Sequence, residues 1–569
     1  MRQIRQQRQF SRRRSTGGSS WRRWGPAVLV AVLVAACTAA AAWATSTPAG
    51  ARKAAAPVNG GTLRGAMVAN PDHLDPALAN ADESYEILEA TNDGLLAFAH
   101  TGGPAGSKII PDLAVAVPHP TNHGKTYTFQ LRKGVRFGAP ASRPITADDV
   151  KASIQRLFRM NSPGISYYTD IVGSVAYQKH KASNIKGIVV NDKTGTVTFH
   201  LSQPDGTFLY YMALTFADVL PKETPARDIS TLAKWRVPTG PYMVSEYVPN
   251  DHITIVRNPD FKQWTKAVPN GHLDQIDIKI GVTADQAVNE VADGSLDWYM
   301  EAVAPGRLSE VKARYPKQVH LFPKTNITYF SLNTRKAPLN DVRVRKAINY
   351  AVDRRALVKI FGGQGVPAEN IVPPQLGASY KRHTFYPHNM SKAKQLVAAS
   401  GTKGQSIQVW ASNTEPQPKA AQYLASVLDQ LGYHATVKTL DESVYYDTMA
   451  TEKSNPQIQY NDWTQDYPEA SDFLDGLLNG SEITPVGNND TPNLNVPSLN
   501  KMIDKAKRMP IGPARGHLWA RIDAIASKKY APLVIFMNRT KPKFVSARLQ
   551  GLVYNPTYSE LLPSMWLSK

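Results

Sequence analysis

Trp463, Asp466 and Tyr467 stand in one short segment of this 569-residue chain, followed by Glu469, Asp472 and Asp475. Paired acids of this kind suggest a glycosidase, whose two carboxyl groups must face each other across a scissile bond. Acids three residues apart instead share one helix face, and nothing in the sequence supplies the opposed wall. The chain has no GxSxG, HExxH or GxxxxGK[ST] string, so the nucleophile elbow, the zinc helix and the phosphate loop are all missing. Its single cysteine, Cys37, excludes an internal disulfide, a CxxC redox pair and a thiolate zinc cluster. The thirteen histidines are scattered, and His383 and His388 lack the i, i+4 spacing that puts two ligands on one helical face. No catalytic residue, metal or cofactor is assigned; the residues point to binding.

The scaffold that must position these residues is that of a folded protein, 42% hydrophobic and 20% charged. Its length allows several domains with a cleft between them. The net charge of +20 is concentrated at the start, where Arg2, Arg5, Arg8, Arg12, Arg13, Arg14, Arg22 and Arg23 occur without an acid. The excess over the rest is mild, and no basic stripe interleaved with aromatics marks a nucleic-acid surface.

That basic start, the apolar run over residues 26–36 (PAVLVAVLVAA) and the small residues after it form an export signal. About eleven apolar residues suit a signal core, whereas a bilayer span needs about twenty. Val34-Ala35-Ala36-Cys37 resembles a bacterial lipobox, which makes Cys37 the lipidation site, residues 1–36 the signal peptide and residues 37–57 a small-residue tether. Ala42-Trp43-Ala44 offers a second cleavage site, and an uncleaved anchor extending to Ala44 is a third option. Arg12-Arg13-Arg14 leaves twin-arginine export open beside the general route.

Beyond residue 57 strand-like and helix-like segments alternate without a repeat. Tyr127, Phe129 and Leu131 alternate with polar residues before Lys133-Gly134, and Val135 and Phe137 resume the pattern, which predicts a hairpin. Residues 188–190 and 197–201 predict a second. Thr146 and Asp149 have capping-box spacing ahead of Val150, Ile154, Leu157 and Phe158. Helical stripes follow at 284–292, closed by Gly294, at 344–351 behind Asp341, and at 421–431, closed by Gly432 before a strand at 435–437. Such helix-to-strand passages imply α/β lobes with helix-covered sheets.

GGTLRGAMVANPDHLDPALA (60–79), LRKGVRFGAPASRPITADDVKASIQRLF (131–158), TGPYMVSEYVPNDHITIVRNPDF (239–261), SLNTRKAPLNDVRVRKAINYAVDR (331–354), SKAKQLVAASG (391–401) and NDWTQDYPEASDFL (461–474) resemble, in this order, the extracytoplasmic solute-binding proteins of family 5. These are the oligopeptide- and dipeptide-binding components of ABC importers. The resemblance implies an α/β, periplasmic-binding-protein-like two-lobed clamshell of type II with an extra α+β domain. Lobe I would comprise 58–103, 237–326 and 540–569, domain II 104–236 and lobe III 327–539. Two apolar segments ending at Asn333 and Asn538 are expected as the paired hinge.

A binder of many peptides satisfies their common backbone and termini and leaves the side chains in wet pockets. In peptide-binding relatives an Asp three residues after a Trp accepts the ligand ammonium, which implies that role for Asp466 after Trp463. Trp463 would supply a flat wall, with Tyr467 beside it. Asn70, Pro71, Asp72, His73 and Leu74 are expected to line the cleft as an extended strand, or else to form a structural turn. Dipeptide-specific relatives place an Arg before the helix that here begins near Lys419; residues 413–418 hold none, and Lys419 reads as an exposed helix-start residue. This favours longer peptides or another cationic solute. The expected partners are a peptide, a membrane permease with its cytoplasmic ATPase, and the outer face of the cell membrane through the lipid on Cys37, with the protein a monomer that binds no nucleic acid. A surface receptor for peptide signals, a binder of a metal complex and a secreted envelope hydrolase are the competing readings.

Overall fold

The computed structural model describes residues 56–454 and 456–568; the signal segment, Cys37 and most of the tether lie outside the described residues. Among the described residues no helix is long and apolar enough to cross a membrane.

Lobe I is built on a five-stranded sheet in the order Trp298–Tyr299, Thr62–Met67, Gln275–Ile280, His252–Arg257, Tyr242–Val248. The first three strands run parallel and the last two antiparallel. Leu63, Ile253, Ile255, Ile276 and Ile278 turn inward to meet Val545, Leu549, Leu562 and Met565 from the end of the chain. Parallel neighbours need a long connection between them, and the connection from Met67 to Gln275 contains the whole of domain II.

Domain II has a three-stranded antiparallel sheet, Thr126–Gln130, Thr196–His200, Ile188–Asn191. The second expected hairpin is present, with Ile188 opposite Phe199 and Val190 opposite Val197. The first is not. Thr126–Gln130 pairs with Thr196–His200, while Val135 and Phe137 bond to Ile145 and Arg143 in a separate small loop. Alternation marks a strand but not its partner; here Phe129 packs edge-on against Phe199 at 5.7 Å between centroids, burying both. The helix Ala147–Arg159 starts at the expected capping box, the Thr146 N–H donating to Asp149 Oδ2 at 2.8 Å. Arg156 on this helix makes a buried two-pronged pair with Asp75 of lobe I, at 2.7 and 2.6 Å.

A seven-stranded sheet in the order Val319–Pro323, Leu533–Phe544, Asn326–Leu332, Ile458–Thr464, Ser406–Ser412, His434–Leu440, with Gly365–Pro367 also paired to Leu533–Phe544, forms the core of lobe III and runs on into lobe I through Val319–Pro323 and residues 540–544. The helices Val342–Ala351, Met390–Ser400 and Gln417–Leu431 cover one face and Ala470–Leu478, Pro497–Arg508 and Pro513–Ile525 the other. The expected stops hold: Gly294 and Gly432 take left-handed conformations after their helices, and Asp341 accepts from the Arg343 N–H.

Leu533–Phe544 pairs with Asn326–Leu332 through residues 533–537 and with Val319–Pro323 through residues 540–544. Asn538 lies at this changeover, its Nδ2 donating to Asn326 O at 2.6 Å. Asn333 does not: it follows the opposite end of Asn326–Leu332, inside lobe III, where its Nδ2 donates to Pro456 O. The first crossover therefore falls at residues 324–326, because the strand pairs with lobe III partners along its whole length and changes lobes only before it begins.

Candidate functional site

The C-terminal ends of Ser406–Ser412, His434–Leu440 and Ile458–Thr464 in lobe III open toward lobe I, the edge of an α/β sheet at which ligands bind. The segment containing Asp466 leaves this edge. Its backbone is held by Asp472 on the following helix, whose Oδ2 accepts from the Asp466 N–H and from Trp463 Nε1, both at 3.1 Å. Asp472 is 5% exposed, and burial followed by the Asp466 charge pushes its carboxyl well above the usual range. It orients both expected ligand residues without reaching the ligand space.

The Asp466 side chain is open to the cleft, yet three parts of the molecule surround it. Tyr167 of domain II is near enough that burial and the Asp466 charge raise its hydroxyl. Tyr85, on the lobe I helix Asp82–Thr91, is near enough that burial and the charges of Asp466, Asp72 and Asp82 raise its hydroxyl. Removal from bulk water pushes the Asp466 carboxyl up, while the neighbouring Tyr167 hydroxyl holds it down in part. Among the described residues no Lys, Arg or His offsets its charge. A carboxylate that is exposed at the cleft, crowded by neighbouring groups and without a cationic partner can accept a cation brought by a ligand.

Trp463 is half-buried, with its indole tied to Asp472 and its ring against the helix Ala470–Leu478 near Gly476. Tyr467 is not a cleft residue. Its ring packs edge-on against Tyr211 and Tyr167 at 5.1 and 6.0 Å, and its hydroxyl meets Ser471. The next apolar surface is that of domain II, so Tyr467 joins the contact between domain II and lobe III. Arg515 reinforces this contact by pairing with Glu469 and donating to Thr207 Oγ1 at 2.8 Å.

Asn70, Pro71, Asp72, His73 and Leu74 form a turn rather than an extended strand. Asn70 exchanges hydrogen bonds with Asn250, and His73 Nδ1 meets Asp228 at 2.9 Å. The Leu74 N–H donates to Ser230 while its side chain and Pro71 are buried. Asp72 accepts from the Asn80 N–H and from Ser84, which fixes the start of the helix that carries Tyr85. The prolines at 71 and 76 remove backbone donors and favour the turn. These residues serve the cleft through Tyr85, a position with no motif to mark it in the sequence; Tyr167 is equally unmarked.

At the other flank of the sheet edge Lys419 pairs with Glu415 at 3.3 Å on the surface. Among the described residues no group of His, Cys, Asp and Glu is arranged to hold a metal ion.

A profile described as bacterial extracellular solute-binding proteins, family 5, matches residues 108–485. Heme-binding protein A of Haemophilus influenzae is 27% identical over 77% of this chain and 80% of its own. The periplasmic oligopeptide-binding protein OppA of Salmonella typhimurium is 26% identical over 92% of this chain and 93% of its own. Among solved structures, the clavulanic acid biosynthesis oligopeptide binding protein 2 superposes with a TM-score of 0.81 at 23% identity, over 90% of this chain and 96% of that one, which shows the shared fold. The two helix-covered lobes, the paired crossovers and this match over most of the chain place the protein in family 5 of the bacterial extracellular solute-binding proteins.

Proposed function

We propose that this protein captures oligopeptides outside the cytoplasm and hands them to an ABC permease driven by a cytoplasmic ATPase, and that it performs no chemistry on them. The observation that carries the peptide reading is Asp466, a carboxylate exposed at the cleft whose neighbours from lobe I and domain II are tyrosines. A peptide ammonium supplies the missing charge and three donors, and the flat Trp463 ring bounds the adjoining backbone. The similarity to a protein named for oligopeptide binding over nearly the whole chain supports the same reading. A ligand that touches Asp466 on lobe III and the Tyr85 side of lobe I favours the closed arrangement by its differential affinity for it, whereas one held by a single lobe leaves the equilibrium unchanged. We read the protein as a monomer held at the outer face of the membrane by a lipid on Cys37.

Calorimetry with a tetrapeptide and its N-acetylated counterpart tests the site. Acetylation and Asp466→Asn should each weaken binding at least about tenfold, roughly 1.4 kcal/mol. Unchanged affinity in both comparisons would remove Asp466 as the ammonium partner, and recovery of cleaved peptide would overturn the binder reading.

A further inference from the structure

The acidic end of the cleft has a basic counterpart across the crossover strands. Gly365 pairs with Arg539, the Arg539 N–H donates to Asn326 Oδ1, and Asn326 pairs with Thr464, so these four residues form a row across the sheet that ends beside Asp466. Beyond Arg539 lies a cavity of about 340 Å³ between the second crossover and the loop 368–384, with Pro323, the residue just before the first crossover, on its wall.

Arg539 is fixed along one edge of its guanidinium. Nη2 donates to the Tyr460 hydroxyl at 2.7 Å and lies 3.4 Å from Asp462, while Nε donates to Thr328 Oγ1 at 3.3 Å. The plane rests 5.5 Å from the Phe361 ring centroid. Among the described residues Nη1 has no protein acceptor, and Arg539 lines the cavity. Arg382 lines it too, exposed and without an ion pair among the described residues. Arg354 adds charge, but Nε and Nη1 are taken by the carbonyls of Asn349, Ala368, Ile535 and Tyr386 and Nη2 donates to Asn349 Oδ1, which leaves at most one N–H for an occupant. The acid on the wall is Glu369, whose Oε2 accepts from the Tyr386 N–H. Three further wall groups lack partners: Gln375 Oε1, on a side chain 5% exposed, Thr540 Oγ1, and Nδ1 of His383, whose Nε2 meets Asp523. Buried polar atoms are ordinarily satisfied, so their orphaned state within a cavity points to a polar occupant.

Given the ammonium at Asp466, we infer that the ligand's carboxylate is received in this cavity, by Arg539 Nη1 with Arg382 at the mouth, and not at the helix start near Lys419. Arg539 thereby sets ligand polarity and length. Adjacent strands lie about 4.8 Å apart, so two to three spacings separate the Asp466 end from the cavity by about 10–14 Å, the span of about three or four extended residues. A planar fork pinned on one edge and free on the other is suited to orient a carboxylate, and the neutral Gln375 and Thr540 groups can meet the last peptide unit.

The test is calorimetry on the full chain with tetra-alanine, its C-terminal amide, its N-acetyl derivative and di-alanine. On the native protein the amide should bind at least about tenfold more weakly than the acid, and di-alanine, too short to reach both ends, more weakly still. Arg539→Gln should erase the preference for acid over amide while retaining the penalty for N-acetylation; Arg539→Lys should restore part of that preference; Lys419→Ala should leave it unchanged. Equal affinity of acid and amide on the native chain overturns the inference whether or not the Arg539 variants fold, and so does loss of the preference in Lys419→Ala. Amide and acid binding alike with N-acetylation still costly would refute the carboxylate assignment alone. Indifference to N-acetylation would refute the Asp466 reading and this one with it.

Discussion

Charge is used in opposite ways at the buried floor of lobe I and at the open cleft edge of lobe III. Under lobe I, Lys543 Nζ reaches Glu560 at 2.9 Å and the Met300 carbonyl at 2.8 Å, and Lys541 Nζ lies 3.3 Å from Glu86 and 3.6 Å from Glu560. Burial works against the Glu560 charge, but Lys541 and Lys543 hold its carboxyl below the usual range, whereas burial and the Glu560 charge push Glu86 well above it. The cluster is largely closed on itself and joins the helix bearing Tyr85 to the second crossover. Asp466 instead stands exposed at the cleft with two hydroxyl-bearing neighbours and, among the described residues, no cation. Self-sufficient buried charge holds a structure together; an unpaired charge at an open cleft is available to a ligand.

The largest effect that could break this contrast is expected in the closed cluster. Lys543→Met leaves Glu560 buried with only the more distant Lys541, and losing one member of a buried pair costs about 3 kcal/mol. Denaturant unfolding should show that loss with and without peptide; a loss confined to the peptide-bound state would make the cluster part of the binding machinery. Asp466→Asn should behave in the reverse sense. A carboxyl raised in the folded state contributes stability below its unfolded pKa and loses it as pH rises through the folded one. Removing the charge should therefore leave the empty protein as stable at neutral pH or slightly more so while binding falls, and a lower melting temperature for the empty variant would count against an incomplete charge.

The same direction governs binding. As pH falls through the raised Asp466 pKa the carboxylate is protonated, so affinity for N-terminally free peptides should decline on acidification before that of an ordinary exposed Asp would. Calorimetry across pH 4–8 reads the decline, about tenfold per pH unit at its steepest, and a flat profile would mean that no titrating carboxylate holds the ammonium. The smallest change is Trp463→Phe, which keeps the flat wall but removes the indole donor to Asp472. A net hydrogen bond contributes about 1 kcal/mol, so the empty protein should lose about that much stability and affinity should fall at most about fivefold; an affinity loss as large as that of Asp466→Asn would move the principal contact to the ring.

Much of the scaffold was legible in local pattern. Thr146 with Asp149, Asp341, Gly294 and Gly432 mark helix ends because capping and left-handed φ are decided within a few residues. Thr126–Gln130 was legible as a strand but not as the partner of Thr196–His200, because pairing across some seventy residues is decided by which apolar faces meet. Asp466 and Trp463 could be identified by motif, whereas Asp472, which holds both, appeared only as one acid of a spaced series.

Sequence by itself determined the family, the alternation of helices and strands, the lack of a second cysteine for a disulfide, and the Trp463–Asp466 pair, since each depends on residue type and short spacing. The tertiary structure decided that Tyr85 and Tyr167 flank Asp466, that Tyr467 faces domain II, that the first crossover lies at 324–326 rather than at Asn333, and that Arg539 lines a cavity beyond the crossovers. These facts bring together residues hundreds of positions apart, and their distances are set by how sheets and lobes pack, which no local pattern encodes.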